Sequence, residues 1–272
     1  MCSAHGVSTM GIRDESGGAR AGTKSEERGG RVDPRSWLLA AGLRATSLRL
    51  CAAWRAQPTR ARRRWLATLA IGLVAACGLC ALVTLVARSA GAGLDAWDEA
   101  LLRDVLEGPW SLATAILLET PGNFLFLVPL LLAAAVLAIH RGRPLLALSF
   151  PIGYAAARLA VAVGYLLWDR ARPALAAVDA SPGLRGFPSG HSAYALVVWG
   201  LLAWLWARST ESRSERALAI ALGAAVPLLV GYARMRMSAH WPSDVLAGWL
   251  VGAAVLLTLV VALRRAESAG GR

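Results

Sequence analysis

Six apolar runs, each close to the length of a bilayer crossing, constrain this chain more than any other feature. They fall at approximately 65–87, 122–140, 145–168, 190–207, 216–233 and 244–263. A hydrocarbon core of roughly 30 Å is crossed by about 20 helical residues. Within that core each backbone N–H and C=O must be paired inside the segment, which a helix achieves. The predicted fold class is therefore all-α, a polytopic membrane bundle of six transmembrane helices. Composition agrees: the 272 residues are 56% hydrophobic, with a mean hydropathy of +0.50, above ordinary globular usage. The third run is the least regular, because it carries Arg158 and several small residues.

A net charge of +12 would suggest a nucleic-acid partner in a soluble protein. Here the arginines cluster in the amino-terminal segment, at His140-Arg141-Gly142-Arg143, across Arg208 to Arg216, and at Arg264-Arg265. With residues 1–64 in the cytoplasm, six crossings bring all four clusters to one side. That is the positive-inside pattern, and it implies no nucleic acid. The expected localisation is the cell membrane, multi-pass, with both termini cytoplasmic. Residues 88–121, 169–189 and 234–243 then face outside.

The domain reading follows. Residues 1–64 form a basic cytoplasmic tail whose first 34 residues lack any hydrophobic period and are expected to be disordered. Within it, 36–56 places Leu39, Leu43, Leu50 and Trp54 on one helical stripe flanked by arginines. Two readings stay open for that stretch, an interfacial helix or a weakly ordered basic tail. Residues 65–263 form the membrane domain, and 264–272 a short cytoplasmic tail. Leu94 to Glu107 reads as a short amphipathic helix on the outer surface, with Asp95 and Asp98 on a solvated face. Ser111 to Pro121 reads as a further short helix leading into the second span, with Glu119 near its end as a candidate polar contact. Cys77 and Cys80 have redox-motif spacing but sit mid-span, where they read as small apolar residues.

The chemistry gathers at the outer ends of the later spans. Phe187-Pro188-Ser189-Gly190-His191 leads into the fourth run, and Arg234 to Asp244 links the fifth to the sixth. Asp169-Arg170-Ala171-Arg172-Pro173 follows the third. A phosphate ester needs its oxygens neutralised, an in-line nucleophile, and a proton for the leaving alkoxide. Arg172 and Arg234 supply permanently charged forked donors. Ser189 occupies an N-cap position, and Gly190 lets an anion approach the free N–H groups of the helix start. His191 is placed to protonate a leaving oxygen. His240 and Asp244 lie four residues apart around a helix start at Pro242, so the carboxylate can orient the imidazole as in catalytic triads. His240 is thus the better nucleophile, forming a phosphohistidine that water hydrolyses. No metal-ligand cluster competes, since His5 and His140 lie on the inner side.

These residues carry a family resemblance. The chain resembles the type-2 phosphatidic acid phosphatases, membrane relatives of the vanadium haloperoxidases, whose motifs are Lys-x6-Arg-Pro, Pro-Ser-Gly-His and Ser-Arg-x5-His-x3-Asp. Pro188 to His191 match the second motif; Arg234, His240 and Asp244 match the third; Arg172 and Pro173 match the first. The resemblance implies an acid phosphatase/haloperoxidase-like helical core across roughly 90–263. It implies His240 as nucleophile, Asp244 as its partner and His191 as general acid, with phosphate held by Arg172, Ser189, Gly190 and Arg234. It implies no metal and no cofactor.

Two positions depart from that pattern: Tyr165 stands at the lysine position and Ala233 at the third motif's serine. Losing one charge-assisted contact weakens phosphate binding by roughly 1.5–3 kcal/mol, about ten- to a hundredfold. Arg170, Arg185 and Arg236 are candidate replacements. Arg158, about 10 Å along the helix from Tyr165, is a functional candidate or a structural partner of Glu119. The expected activity is hydrolysis of a lipid phosphate or diphosphate of the undecaprenyl diphosphate, phosphatidate or phosphatidylglycerol phosphate type. The partners are that lipid and the bilayer. A phosphotransferase is a close variant. The alternative of another class is a lipid-phosphate binding or transport protein without turnover, for which the missing lysine is the support.

Overall fold

The computed structural model describes residues 34–173 and 186–270, and among them every regular element is helical. The chain divides into two units between Ala41 and Gly42. The described part of the first is the opening of α1 (Pro34–Ala56). The second holds the rest of α1, then α2 (Thr59–Glu107), α3 (Leu112–Glu119) and a 3-10 turn at Thr120–Gly122. It continues with α4 (Phe124–His140), α5 (Pro144–Leu167), α6 (Gly190–Ser209), α7 (Arg213–Arg236) and α8 (Pro242–Gly270).

Among the described residues, six segments are long and apolar enough to cross a membrane: α2, α3 with α4, α5, α6, α7 and α8. This is the expected six-span protein. Three of the helices, α2, α7 and α8, outrun their apolar runs at both ends. The last continues to Gly270 through Arg264 and Arg265, where a tail was expected from 264. Arginine is a good helix former, so a polar boundary ends the membrane contact without ending the helix.

At 49 residues α2 is far longer than a crossing, and it is interrupted at Gly91 (φ 52, ψ −135). Only glycine adopts that conformation without strain. The break separates the first span from the outer segment ending at Glu107, which the sequence placed as a separate short helix. The stretch 36–56 is also helical. Leu43 of its apolar stripe is 72% exposed, while Trp54 meets the ring of Trp65 edge-on at 6.1 Å. Residues 1–33, the expected disordered segment, lie outside the described residues.

The core is built around α8. Val251, Val255 and Leu259 pack in one buried cluster with Val197 and Leu201 of α6 and with Phe150, Ala157 and Val161 of α5. Trp65 and Ala76 of α2 complete it. Membrane helices associate through close packing and small residues, since lipid provides no hydrophobic drive between them. Gly248 shows this most sharply. A Cβ there would lie 2.4 Å from the carbonyl oxygen of Ser189 and 3.1 Å from Cβ of Ser192. This contact seats the start of α6 directly on the first turns of α8.

Connectivity sorts the polar groups. The end of α5, the starts of α6 and α8 and the end of α7 share one end of the bundle. His140 to Arg143, Arg208 to Arg216 and Arg264-Arg265 occupy the other. There Arg208 makes a bidentate pair with Glu267 at 3.0 Å, and an Arg49 guanidinium nitrogen lies 2.6 Å from Nδ1 of His140.

The α6–α8 contact predicts that Gly248→Ala destabilises the protein by about 1–3 kcal/mol through overpacking. Gly78→Ala, with nothing within 4 Å of the added Cβ, should leave the thermal unfolding midpoint in detergent unchanged or raise it.

Candidate active site

The start of α8 is a capping arrangement. Trp241 is the residue before the helix, Pro242 takes the first helical position, and the Trp241 N–H donates back to Oδ2 of Asp244 at 2.9 Å. Proline is suited to that position, and a side-chain acceptor two residues on closes the turn. Asp244 is fully buried. Its other oxygen accepts from Arg170 Nη1 at 2.9 Å, so both oxygens are held before the histidine is considered. His240, 2% exposed, places Nδ1 3.5 Å from Oδ2 of Asp244, longer than an ordinary hydrogen bond. The expected pair is thus brought together, with the carboxylate oriented mainly by Trp241 and Arg170.

Burial drives the His240 pKa well below the usual imidazole value, and the positive charges of Arg234 and Arg172 push in the same direction. A hydrogen bond with the Gly186 backbone opposes them only in part. The ring is therefore neutral at pH 7, with a lone pair available.

Ser189 is fully buried, and its N–H donates to the Asp244 carbonyl at 2.9 Å, tying the α6 entrance to α8. Its backbone is extended as an N-cap residue's is, but its side chain makes no capping bond. Instead Ser192 Oγ donates to Ser189 Oγ at 3.0 Å. Any side chain at Gly190 would meet the phenol end of Tyr194 at 2.9 Å. His191, on the first turn of α6, sets Nε2 3.5 Å from Oε1 of Glu119. The same Glu119 oxygen accepts from Arg234 Nη1, and both residues of that pair are buried. The Arg172 guanidinium lies close enough to both imidazoles to act on them electrostatically. Tyr165 is within similar reach of Arg172, Arg234 and Asp244.

All eight residues expected at the site thus converge on one end of the bundle. Two of the suggested replacements for the lysine, Arg170 and Arg236, are engaged by other groups of the protein. Arg170 is buried among carboxylates behind the site: Nη1 donates to Ser243 Oγ at 2.7 Å as well as to Asp244, and Nη2 donates to Asp98 at 2.7 Å and Asp95 at 3.0 Å. It also lies over the rings of Trp168 and Trp241. Arg236 donates to the carbonyl of Trp110, and Arg185 is outside the described residues. Arg158 stacks over Tyr154 and Tyr194 instead of pairing with Glu119, whose carboxylate faces Arg234 and His191.

Sequence reasoning missed Asp98 and gave Glu119 only as a polar contact, with no role at the site. Asp98 is 0% exposed, accepting from the Ser243 N–H at 2.8 Å and from Ser243 Oγ at 2.6 Å besides Arg170. The signal was its position: Asp98, Leu102 and Val105 are the buried face of the outer α2 segment. A carboxylate on an apolar stripe is not a solvated one. Glu119 similarly shares its buried face with Ala115. Among the described residues no group of three or more His, Cys, Asp or Glu is arranged to hold a metal ion.

Residues 145–267, which span α5 to α8 and all three motif segments, match the model of the PAP2 superfamily. That stretch, less than half of the chain, is what the protein shares with the superfamily. It is 36% identical over 77 residues to an uncharacterised 22.5 kDa protein in the cps region of Klebsiella pneumoniae. That match covers 28% of this chain and 36% of the relative's length. Its fold is similar to the crystal structure of a transmembrane PAP2-type phosphatidylglycerolphosphate phosphatase from Bacillus subtilis. There the TM-score is 0.59 at 21% identity, over 69% of this chain and 94% of the other. The six candidate spans among the described residues make this a multi-pass membrane protein.

Two measurements test this geometry. Asp98→Ala removes a buried carboxylate that pairs with Arg170 and accepts from both the N–H and the hydroxyl of Ser243, and is expected to cost about 3–5 kcal/mol. Asp95→Ala, removing a carboxylate that is 62% exposed, should cost about 1 kcal/mol or less; comparing their unfolding in detergent decides. For His240 the unfolded ring titrates near 6.5 while the folded ring titrates lower. The unfolded chain therefore binds the extra proton first, and stability falls as pH drops below about 6.5. His240→Gln should flatten that part of the wild-type curve; an unchanged slope would contradict a buried neutral ring.

Proposed function

We propose that this protein is a membrane phosphatase that hydrolyses a lipid phosphate or diphosphate through a phosphohistidine. The observation that carries the proposal is the meeting of two imidazoles, Arg234 and Asp244 at one end of a PAP2 bundle, with the neutral His240 held beside a buried carboxylate.

In this reading Arg172 and Arg234, with the backbone of Ser189 and Gly190, neutralise the phosphoryl oxygens, and Tyr165 donates one hydrogen bond at the position of the lysine in the motif the chain resembles. His240 attacks phosphorus through the ring nitrogen turned away from Asp244. As the N–P bond forms, the bond to the lipid oxygen breaks, and that oxygen takes a proton from His191. Water then attacks phosphorus, His191 takes its proton, and the N–P bond breaks to release phosphate and restore His240. Asp244 stabilises the imidazolium that develops on His240, and Arg170 and Trp241 keep Asp244 aimed. Glu119 positions both Arg234 and His191.

The lipid reaches the site from the outer leaflet, because the arginine-rich ends of the helices lie opposite and favour the cytoplasm. The substrate class is an undecaprenyl diphosphate, phosphatidate or phosphatidylglycerol phosphate. The structural likeness to a phosphatidylglycerolphosphate phosphatase supports the last of these.

Purified protein should release phosphate from at least one lipid in a panel of mono- and diphosphates, and His240→Ala should reduce the rate by about a thousandfold or more. Acid-quenched enzyme should hold phosphorus on an imidazole; phosphorus on serine refutes the mechanism. His191→Ala should lose about 10²–10⁴-fold on an alkyl phosphate but far less on p-nitrophenyl phosphate, whose leaving group needs no proton. Lipid binding without any release favours the second reading, a binding or transport protein, which rests on Tyr165 in place of a cation.

A further inference from the structure

At the end of the bundle opposite the site, a half-open cavity of about 660 Å³ lies between the α4–α5 turn and the last turns of α6 and α8. Leu137, Leu146 and Leu205 are among its apolar lining residues, and Arg141, Arg143 and Arg208 also line it. The turn is rigidly built. Gly142 has φ 67, its N–H donates to the Ile139 carbonyl at 3.0 Å, and the Arg143 N–H reaches back to Ala138 at 2.9 Å. This is a helix end closed by a left-handed glycine, and it carries an arginine on each side.

The three cations differ. Arg208 is neutralised by Glu267 and lies over the Trp204 ring at 4.6 Å. Arg141 and Arg143 are exposed, and neither has a carboxylate partner among the described residues. The lining thus keeps two uncompensated positive charges above an apolar wall, at the level where helix ends meet lipid headgroups. Trp204 and Trp206, also in the lining, are residues favoured at that level.

We infer that this cavity is a binding site for an anionic glycerophospholipid, separate from the proposed reaction site. Its phosphodiester meets Arg141 and Arg143, and an acyl chain covers Leu137, Leu146 and Leu205. Basic pockets between transmembrane helices select anionic headgroups by this combination. A zwitterionic lipid presents the same phosphate, but its ammonium group offsets the attraction. A soluble phosphate has no chain to cover the wall. The inference does not depend on turnover at the other end.

The test uses the full chain, delipidated in detergent and supplied with phosphatidylglycerol or phosphatidylcholine, with retained lipid counted by native mass spectrometry. Phosphatidylglycerol, a phosphodiester, is not a monoester substrate. Wild type should retain it in preference to phosphatidylcholine, and glycerol phosphate should not displace it. R141Q/R143Q should weaken retention about tenfold with phosphate release from lipid substrates unchanged, and R141K/R143K should restore retention. His240→Ala should retain the lipid as wild type does, which separates this cavity from the reaction site. Equal retention of the two lipids overturns the proposal, as does full retention by R141Q/R143Q or failure of the lysine variant to restore it.

Discussion

A single guanidinium, that of Arg170, joins three parts of the chain that are far apart in sequence. It takes Asp98 from the outer segment of α2, Ser243 and Asp244 from the start of α8, and it comes itself from the strand of chain after α5. Asp98 and Asp244 are both fully buried, so neither carboxylate is stabilised by water. Each requires the shared cation and further donors, which the Ser243 N–H and hydroxyl and the Trp241 N–H supply. Buried ions of this kind contribute little net stability, because dehydration offsets attraction. What they supply is a unique geometry: the first turn of α8 has one way to satisfy all its partners, and His240 is attached to that turn.

The same arrangement explains why Arg170 does not make good the lysine position. Arg170 cannot turn toward a substrate without abandoning two buried carboxylates. Ala233, the other departure, has a direct packing reason. It is fully buried in an apolar cluster with Ala115, Met237 and Ala239. A serine there would bring a hydroxyl into that cluster, where leaving it without a partner is costly. The two substitutions therefore differ in kind: Ala233 suits the contact between α3 and α7, whereas Tyr165 changes the chemistry facing Arg172 and Arg234.

Much of the fold was legible because a bilayer leaves few alternatives. Apolar runs of the right length had to be helices, and the arginine clusters separated their ends. The residues of the site were legible where they lay close together in sequence, as in Pro188 to His191 and Arg234 to Asp244. Asp98 and Glu119 were not, because their partners lie 72 to 145 residues away. A local reading treats each as an acid on a short amphipathic helix. Only the buried positions that share their faces, Leu102 with Val105 and Ala115, give a hint of the inward direction. The interruption at Gly91 was equally hidden, since glycines within apolar helices are common and only its positive φ makes this one a break.

The two ends of the bundle treat charge in opposite ways, and that difference follows from the proposed chemistry. At the reaction end Arg234 is matched to Glu119 and Arg170 to Asp98 and Asp244, so the fixed charges sit in defined places. A phosphoryl group in flight needs that, because stabilisation of its developing charge depends on dipoles and ions that do not reorganise. At the other end Arg141 and Arg143 are left in the open, where a mobile lipid headgroup can meet them without a single required pose. An amphiphilic phosphate itself demands the first arrangement at a helix end: its chains partition into hydrocarbon and its charged phosphorus stays at the boundary. A site deeper in the bundle would dehydrate the phosphate, and one further out would pull the chains into water. In the proposed reading, the helix starts of α6 and α8, locked together through Ser189 and Asp244, occupy the boundary between those two costs.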